Sequence, residues 1–107
     1  MSKSIIPIID KDELYDGYLN NFKIGELSIL LIQENKNIHV IENKCGHFGV
    51  ELSNGEITKG TIICYQHGIS FNLKTGAIEN RPQENCGPIV IFDYLIEDNI
   101  VCIILDD

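Results

Sequence analysis

The chain has 107 residues, 44% of them apolar, which suits one small core and leaves little for a second domain. Its 16 acidic and 8 basic residues leave a formal charge of −8, which argues against binding nucleic-acid phosphates or anionic membrane surfaces. Isoleucine is the commonest residue and Trp is absent, so strand formers outweigh helix formers and an all-β fold is expected.

The opening stretch, Met1 to Pro7, is too short and too weakly apolar for a signal peptide, and no segment approaches a membrane span, so a cytoplasmic protein is expected. Ser4 to Ile9 reads as the first strand, and Lys11 to Tyr15 as one helical turn with Asp10 as its N-cap, ended by Asp16-Gly17. Glu26 to Gln33, Ile38 to Glu42, Thr61 to Cys64, Ile69 to Asn72, Ile89 to Ile96 and Ile100 to Leu105 supply six more strands. Turn formers separate them at Asn35-Lys36-Asn37, Asn54-Gly55, Lys74-Thr75-Gly76 and Glu97-Asp98-Asn99, and such short links favour antiparallel neighbours. The expectation is a single domain over residues 1–107, built of small antiparallel sheets.

Four cysteines in a chain without export signals point to metal binding before disulfides. Cys45-Gly46-His47 is followed, after sixteen intervening residues, by Cys64-Tyr65-Gln66-His67. Two thiolates and two imidazoles suit either a tetrahedral zinc or an iron–sulfur cluster with mixed ligation. A His only two residues beyond its Cys makes a shorter loop than zinc pairs use, which favours a cluster clamped from two sides. Gly46 and Gly49 flank His47 and Gly68 follows His67, so backbone N–H groups can come close to inorganic sulfur. Two ferric ions, two sulfides and two thiolates sum to zero charge, so such a site needs no compensating residue in its oxidised form.

In these residues the chain resembles the Rieske ferredoxins, whose signature is Cys-x-His, about sixteen residues, then Cys-x-x-His-Gly. The likeness extends through Cys45 to Gly55, Gly60, Cys64 to Asn72, Thr75-Gly76 and Pro82, which falls where the family has a loop covering the cluster. It implies a Rieske-like all-β fold with a cluster-binding subdomain, about residues 43–72, on a base domain of about 1–42 and 73–107. It also implies one [2Fe–2S] cluster held by Cys45, His47, Cys64 and His67, in a protein that is not itself an enzyme but carries single electrons. The partners implied are a flavin-dependent reductase and a terminal oxygenase. Tyr65 departs from the family's usual proline, which leaves that loop less rigid. Val50 and Gln66 stand where respiratory-complex members carry two extra cysteines, so no disulfide joins the ligand loops here.

Two other readings compete. The small subunit of an assimilatory nitrite reductase shares the fold but often lacks the ligands, and a zinc-stabilised binding module is opposed by the spacing. Cys102, within an unbroken apolar run, is expected in the core, Cys86 to be incidental to the site, and His39 to be a surface or cross-strand residue. Phe48, Ile69 and Phe71 are expected to shield the cluster from water. Residues 45–50 and 64–71 contain no charged side chain, so an uncharged tip including Phe48 and Ile69 is expected to meet the partners.

High-potential members of the family place a Ser hydroxyl directly after the His-Gly and a Tyr hydroxyl two residues later, where this chain has Ile69 and Phe71. Neither side chain can donate a hydrogen bond to a cluster sulfur, so the reduced state lacks that stabilisation. The expected reduction potential lies toward the low end of the range of about −150 to +300 mV. Film voltammetry at neutral pH checks this, with Phe71→Tyr, and more so Phe71→Tyr with Ile69→Ser, expected to shift it upward.

Overall fold

Short apolar runs separated by turn formers fold into nine antiparallel strands among the residues that the computed structural model describes, which are 3–44, 51–64, 68–80 and 88–106. In chain order these are β1 (Lys3–Asp10), β2 (Tyr18–Ile24), β3 (Leu27–Glu34), β4 (Asn37–Glu42), β5 (Glu56–Thr58), β6 (Thr61–Ile63), β7 (Ser70–Asn72), β8 (Ile91–Glu97) and β9 (Ile100–Asp106). Seven of them match the expected strands to within two residues at each end. β2 and β5 were not expected. The helical turn is present as a 3-10 turn over Lys11–Glu13, with the Asp10 carboxylate accepting from the Asp12 N–H at 2.9 Å and from the Asn99 amide at 2.7 Å. No helix of the described residues is long and apolar enough to cross a membrane.

Tight hairpins connect neighbours. Asn35 and Lys36 between β3 and β4, Lys59 and Gly60 between β5 and β6, and Asp98 and Asn99 between β8 and β9 all have positive φ. Two successive residues of that kind twist a two-residue turn the way paired strands require, and Asn and Asp tolerate it best among non-glycine residues.

The strands form a six-stranded sheet in the order β1-β9-β8-β4-β3-β2 and a three-stranded sheet in the order β5-β6-β7. In β3 the run Ile29-Leu30-Leu31-Ile32 is buried throughout, although successive side chains point to opposite faces. Ile29 and Leu31 pack with Tyr18, Val40, Val101 and Ile103, and β1 lends Ile6, Ile8 and Ile9 to this core. Since β1 and β9 are not neighbours of β3 in the sheet, the large sheet curls over to enclose them. Leu30 and Ile32 face the other way and pack with Ile41, Leu52, Ile62, Cys64, Ile69, Phe71, Leu73 and Ile89. This second core joins the small sheet to the outer face of the large one.

His39 is opposite Ile32 in the β3–β4 register and is only 8% exposed, so it is a cross-strand residue but not a surface one. The segment that follows β7 covers it, and the ring hydrogen-bonds to the Leu73 backbone. Burial, which disfavours the charged imidazolium, is the main cause of a pKa below 6.5; Glu34 opposes it, Lys74 adds to it, and the Leu73 bond opposes it. A His whose folded-state pKa is depressed binds fewer protons folded than unfolded. Its share of stability is therefore present above 6.5 and is lost as the pH falls below that value toward the folded pKa. Thermal melts across this window should show wild type losing Tm on acidification more steeply than His39→Gln, which has no proton to gain there.

Candidate metal centre

Cys64 directly follows β6 and is fully buried, against Ile62, Ile69, Phe71 and the rest of the inter-sheet core. Its N–H donates to the Ile69 carbonyl at 2.8 Å, and the Gly68 N–H donates back to the Cys64 carbonyl at 2.8 Å. The chain between β6 and β7 is thus closed at its root into a loop of a few residues. Gly68 has φ +66°, a left-handed conformation that a side chain at this position would oppose. Ile69 is 1% exposed and Phe71 fully buried. Being two residues apart, both point into the core, which fits the expected exclusion of water. The expectation that Ile69 meets a partner is corrected by the same fact, because a side chain turned into the core offers no contact surface.

The first loop is rooted just as closely. Asn43, at the end of β4, is 4% exposed, and its Oδ1 accepts from the Leu52 N–H at 2.8 Å, so one side chain spans the stretch between them. Its own N–H donates to the Ser28 carbonyl at 2.9 Å, which ties that root to β3. The returning chain then turns, with the Gly55 N–H donating to the Leu52 carbonyl at 2.8 Å. A Cβ on Gly55 would stand 2.7 Å from the Ile63 carbonyl oxygen and 3.0 Å from that of Leu52, so only glycine lets this turn lie against the strand that ends at Cys64.

The segment after β7 closes the third side. Ile78 bridges Phe71, and the Glu79 N–H donates to the Ser70 carbonyl at 2.9 Å. The Glu79 carboxylate accepts from Thr61 Oγ1 at 2.6 Å and from Asn72 Nδ2 at 3.1 Å, and these two bonds hold its pKa below the usual carboxylate value. Asn80 contacts the loop itself, donating to the Gly68 carbonyl at 2.7 Å and accepting from the Ser70 N–H at 2.9 Å. Neither Asn43 nor Asn80 was singled out from sequence. Asn43 stands two residues before the first Cys-x-His, which was the available signal, whereas Asn80 shows none.

Of the four expected ligands, Cys64 is placed at this junction. Cys45, His47 and His67 lie outside the described residues, as do Cys86 and Pro82. Cys102 is 5% exposed within β9, a strand of the other core, in keeping with a packing role. The roots of segments 45–50, 65–67 and 81–87 share one corner of the molecule: Asn43 holds Leu52, Gly55 lies on Ile63, and Asn80 holds Gly68. Cys64 at the head of a tight, hydrogen-bonded loop fits an iron–sulfur cofactor, with soft sulfur as donor.

A family model described as "Rieske [2Fe-2S] domain" matches residues 4–101 of the chain. Human apoptosis-inducing factor 3 is 33% identical over 70 residues, covering 65% of this chain and 12% of that protein. The ferredoxin component of the alkene monooxygenase system of Xanthobacter autotrophicus is 33% identical over 66 residues, covering 61% of this chain and 54% of that one. The chain thus spans about half of one of these relatives and a small part of the other. Among solved structures, the ferredoxin of Sphingomonas yanoikuyae B1 superposes with a TM-score of 0.83 at 25% identity, covering 96% of this chain and all of that one. With a family model that spans nearly the whole chain and a fold that agrees, this protein belongs to the Rieske [2Fe–2S] domain family, whose cofactor is one [2Fe–2S] cluster.

Proposed function

We propose that the chain is a one-electron carrier of the ferredoxin type, in which Cys45, His47, Cys64 and His67 hold the cluster. The observation that carries this reading is Cys64, fully buried at the head of a loop whose root is closed by paired hydrogen bonds with Ile69 and Gly68. His67 is the residue before Gly68, within that same loop. When bound, the cluster stores a single electron, with one Cys and one His from each loop as ligands. The protein's part is to hold geometry and exclude water. Leu52, Ile62, Ile69 and Phe71 keep the Cys64 side dry, while the hydrogen-bonded roots resist movement when the site gains or loses a charge.

The single domain divides, on this reading, into a cluster-binding part of about residues 43–72 and a base of about 1–42 and 73–107. Support comes from the small sheet, which rests on the large one through a shared apolar core. The electron donor is a flavin-dependent reductase and the acceptor a terminal oxygenase, and the setting is cytoplasmic; the name of the alkene monooxygenase relative supports an oxygenase as acceptor. The absence of charge from residues 45–50 suits brief contact there, because docking then strips water from few fixed charges.

Iron and sulfide analysis with visible and EPR spectra of the purified protein tests the assignment. Cys64→Ser, His47→Ala and His67→Ala should each lose the cluster signal, since an iron is then left one protein ligand short. Cys102→Ser should keep the spectrum while costing about 1–3 kcal/mol of stability, because it sets a hydroxyl in a buried apolar strand. Loss of the spectrum in that variant, or its survival in any of the first three, would refute the ligand set.

A further inference from the structure

Side-chain amides that pair with backbone at two points act as substitutes for a neighbouring strand. Asn80 does this: its amide donates to the Gly68 carbonyl at 2.7 Å, and its Oδ1 accepts from the Ser70 N–H at 2.9 Å. Gly68 and Ser70 are two residues apart, the spacing at which an antiparallel partner would offer one donor and one acceptor. Backbone pairing between this segment and β7 runs from the Asn72 N–H on the Ala77 carbonyl to the Glu79 N–H on the Ser70 carbonyl. Beyond Glu79 the pairing passes to a side chain. The loop root nearest His67 is therefore gripped by one residue from a different part of the chain.

We propose that Asn80 is a positioning residue for the second ligand loop, holding in place Gly68, the residue that follows His67. This rests on the ligand set proposed above. The Gly68 N–H, in the peptide shared with His67, donates to the Cys64 carbonyl at 2.8 Å, and Asn80 holds the Gly68 carbonyl, in the next peptide, so the two dihedrals of Gly68 are fixed between two anchored peptide planes. With Gly68 at φ +66°, the backbone there has freedom that a side chain would have removed, and the Asn80 bonds remove it instead. Glu79 provides the contrast. It anchors the same segment through Thr61 and Asn72, on the small sheet, and its side chain does not reach Gly68 or Ser70.

The test uses the full chain with its cluster and compares Asn80→Ala, Asn80→Asp and Glu79→Ala. Release of iron to a chelator, the EPR g-values and their linewidths, and Tm are measured together. Asn80→Ala should release iron about tenfold faster than wild type, the loss of two backbone-directed hydrogen bonds next to a ligand, and should broaden and shift the g-values. Asn80→Asp keeps the acceptor for Ser70 but turns a carboxylate oxygen on the Gly68 carbonyl, so it too should release iron faster than wild type; it also serves if the Ala variant does not fold. Glu79→Ala should lower Tm while leaving release and g-values at wild type. Wild-type release and spectra in both Asn80 variants, or equal changes in Glu79→Ala, would overturn the positioning role alone. A wild-type protein with no Rieske EPR signal would overturn the ligand set and the positioning role together.

Discussion

Double-sided burial of β3 is the constraint on which the rest of the molecule depends. Ile29 and Leu31 close the core inside the curled sheet, and Leu30 and Ile32 close the core under the small sheet. A polar residue at any of these four positions would expose or disrupt one core, and loss of the second would free the small sheet from its support. That matters because β5, β6 and β7 have only three residues each. Sheets of that size are not stable alone in water, and need a packed face. The small sheet and the loop roots it carries are thus held in shape by their apolar contact with the large sheet.

Over this apolar platform the loop roots are held by neutral amides. Asn43 and Asn80 each bond backbone groups that have no strand neighbour of their own, and neither carries a charge. A one-electron centre changes its charge by one unit with every transfer. Fixed charges beside it would favour one redox state according to their sign, and would bring their own hydration to be rearranged. Neutral donors and acceptors secure the loop with less bias. Glu79, the residue before Asn80, is turned away to Thr61 and Asn72.

How much of this was legible depended on which physical signal each residue carries. β1, β3, β4, β8 and β9 announce themselves through long apolar runs rich in Ile and Val. β2 was missed because Asn20-Asn21 interrupt it and both are poor strand formers; Tyr18, Phe22 and Ile24 hold it through packing on the interior core. β5 has one apolar residue, Ile57, which is too little for any period to show. The ligand motif was plain because metal chemistry restricts both residue type and spacing. Asn43 and Asn80 were not, since an asparagine that pairs with distant backbone looks in sequence like one that makes a turn. For His39 the sequence left surface and cross-strand placements open, because alternation within β4 gives its face but cannot tell that Leu73, over thirty residues later, covers that face.

Ile69 and Phe71 show how one structural feature serves two ends. Ile69, just before β7, and Phe71, within it, are both buried with Cys64 in the same core. On the proposed ligation, their bulk keeps water from the Cys64 side, and their lack of a donor leaves cluster sulfur without side-chain hydrogen bonds from these positions. Water exclusion and a low potential then act in the same direction, since a drier site also disfavours the added negative charge of the reduced state. A hydroxyl at either position would have to find an acceptor in an apolar core, and a sulfur of the bound cluster could serve as one. On that ligation the choice between an apolar side chain and a hydroxyl at 69 and 71 would set packing and potential together.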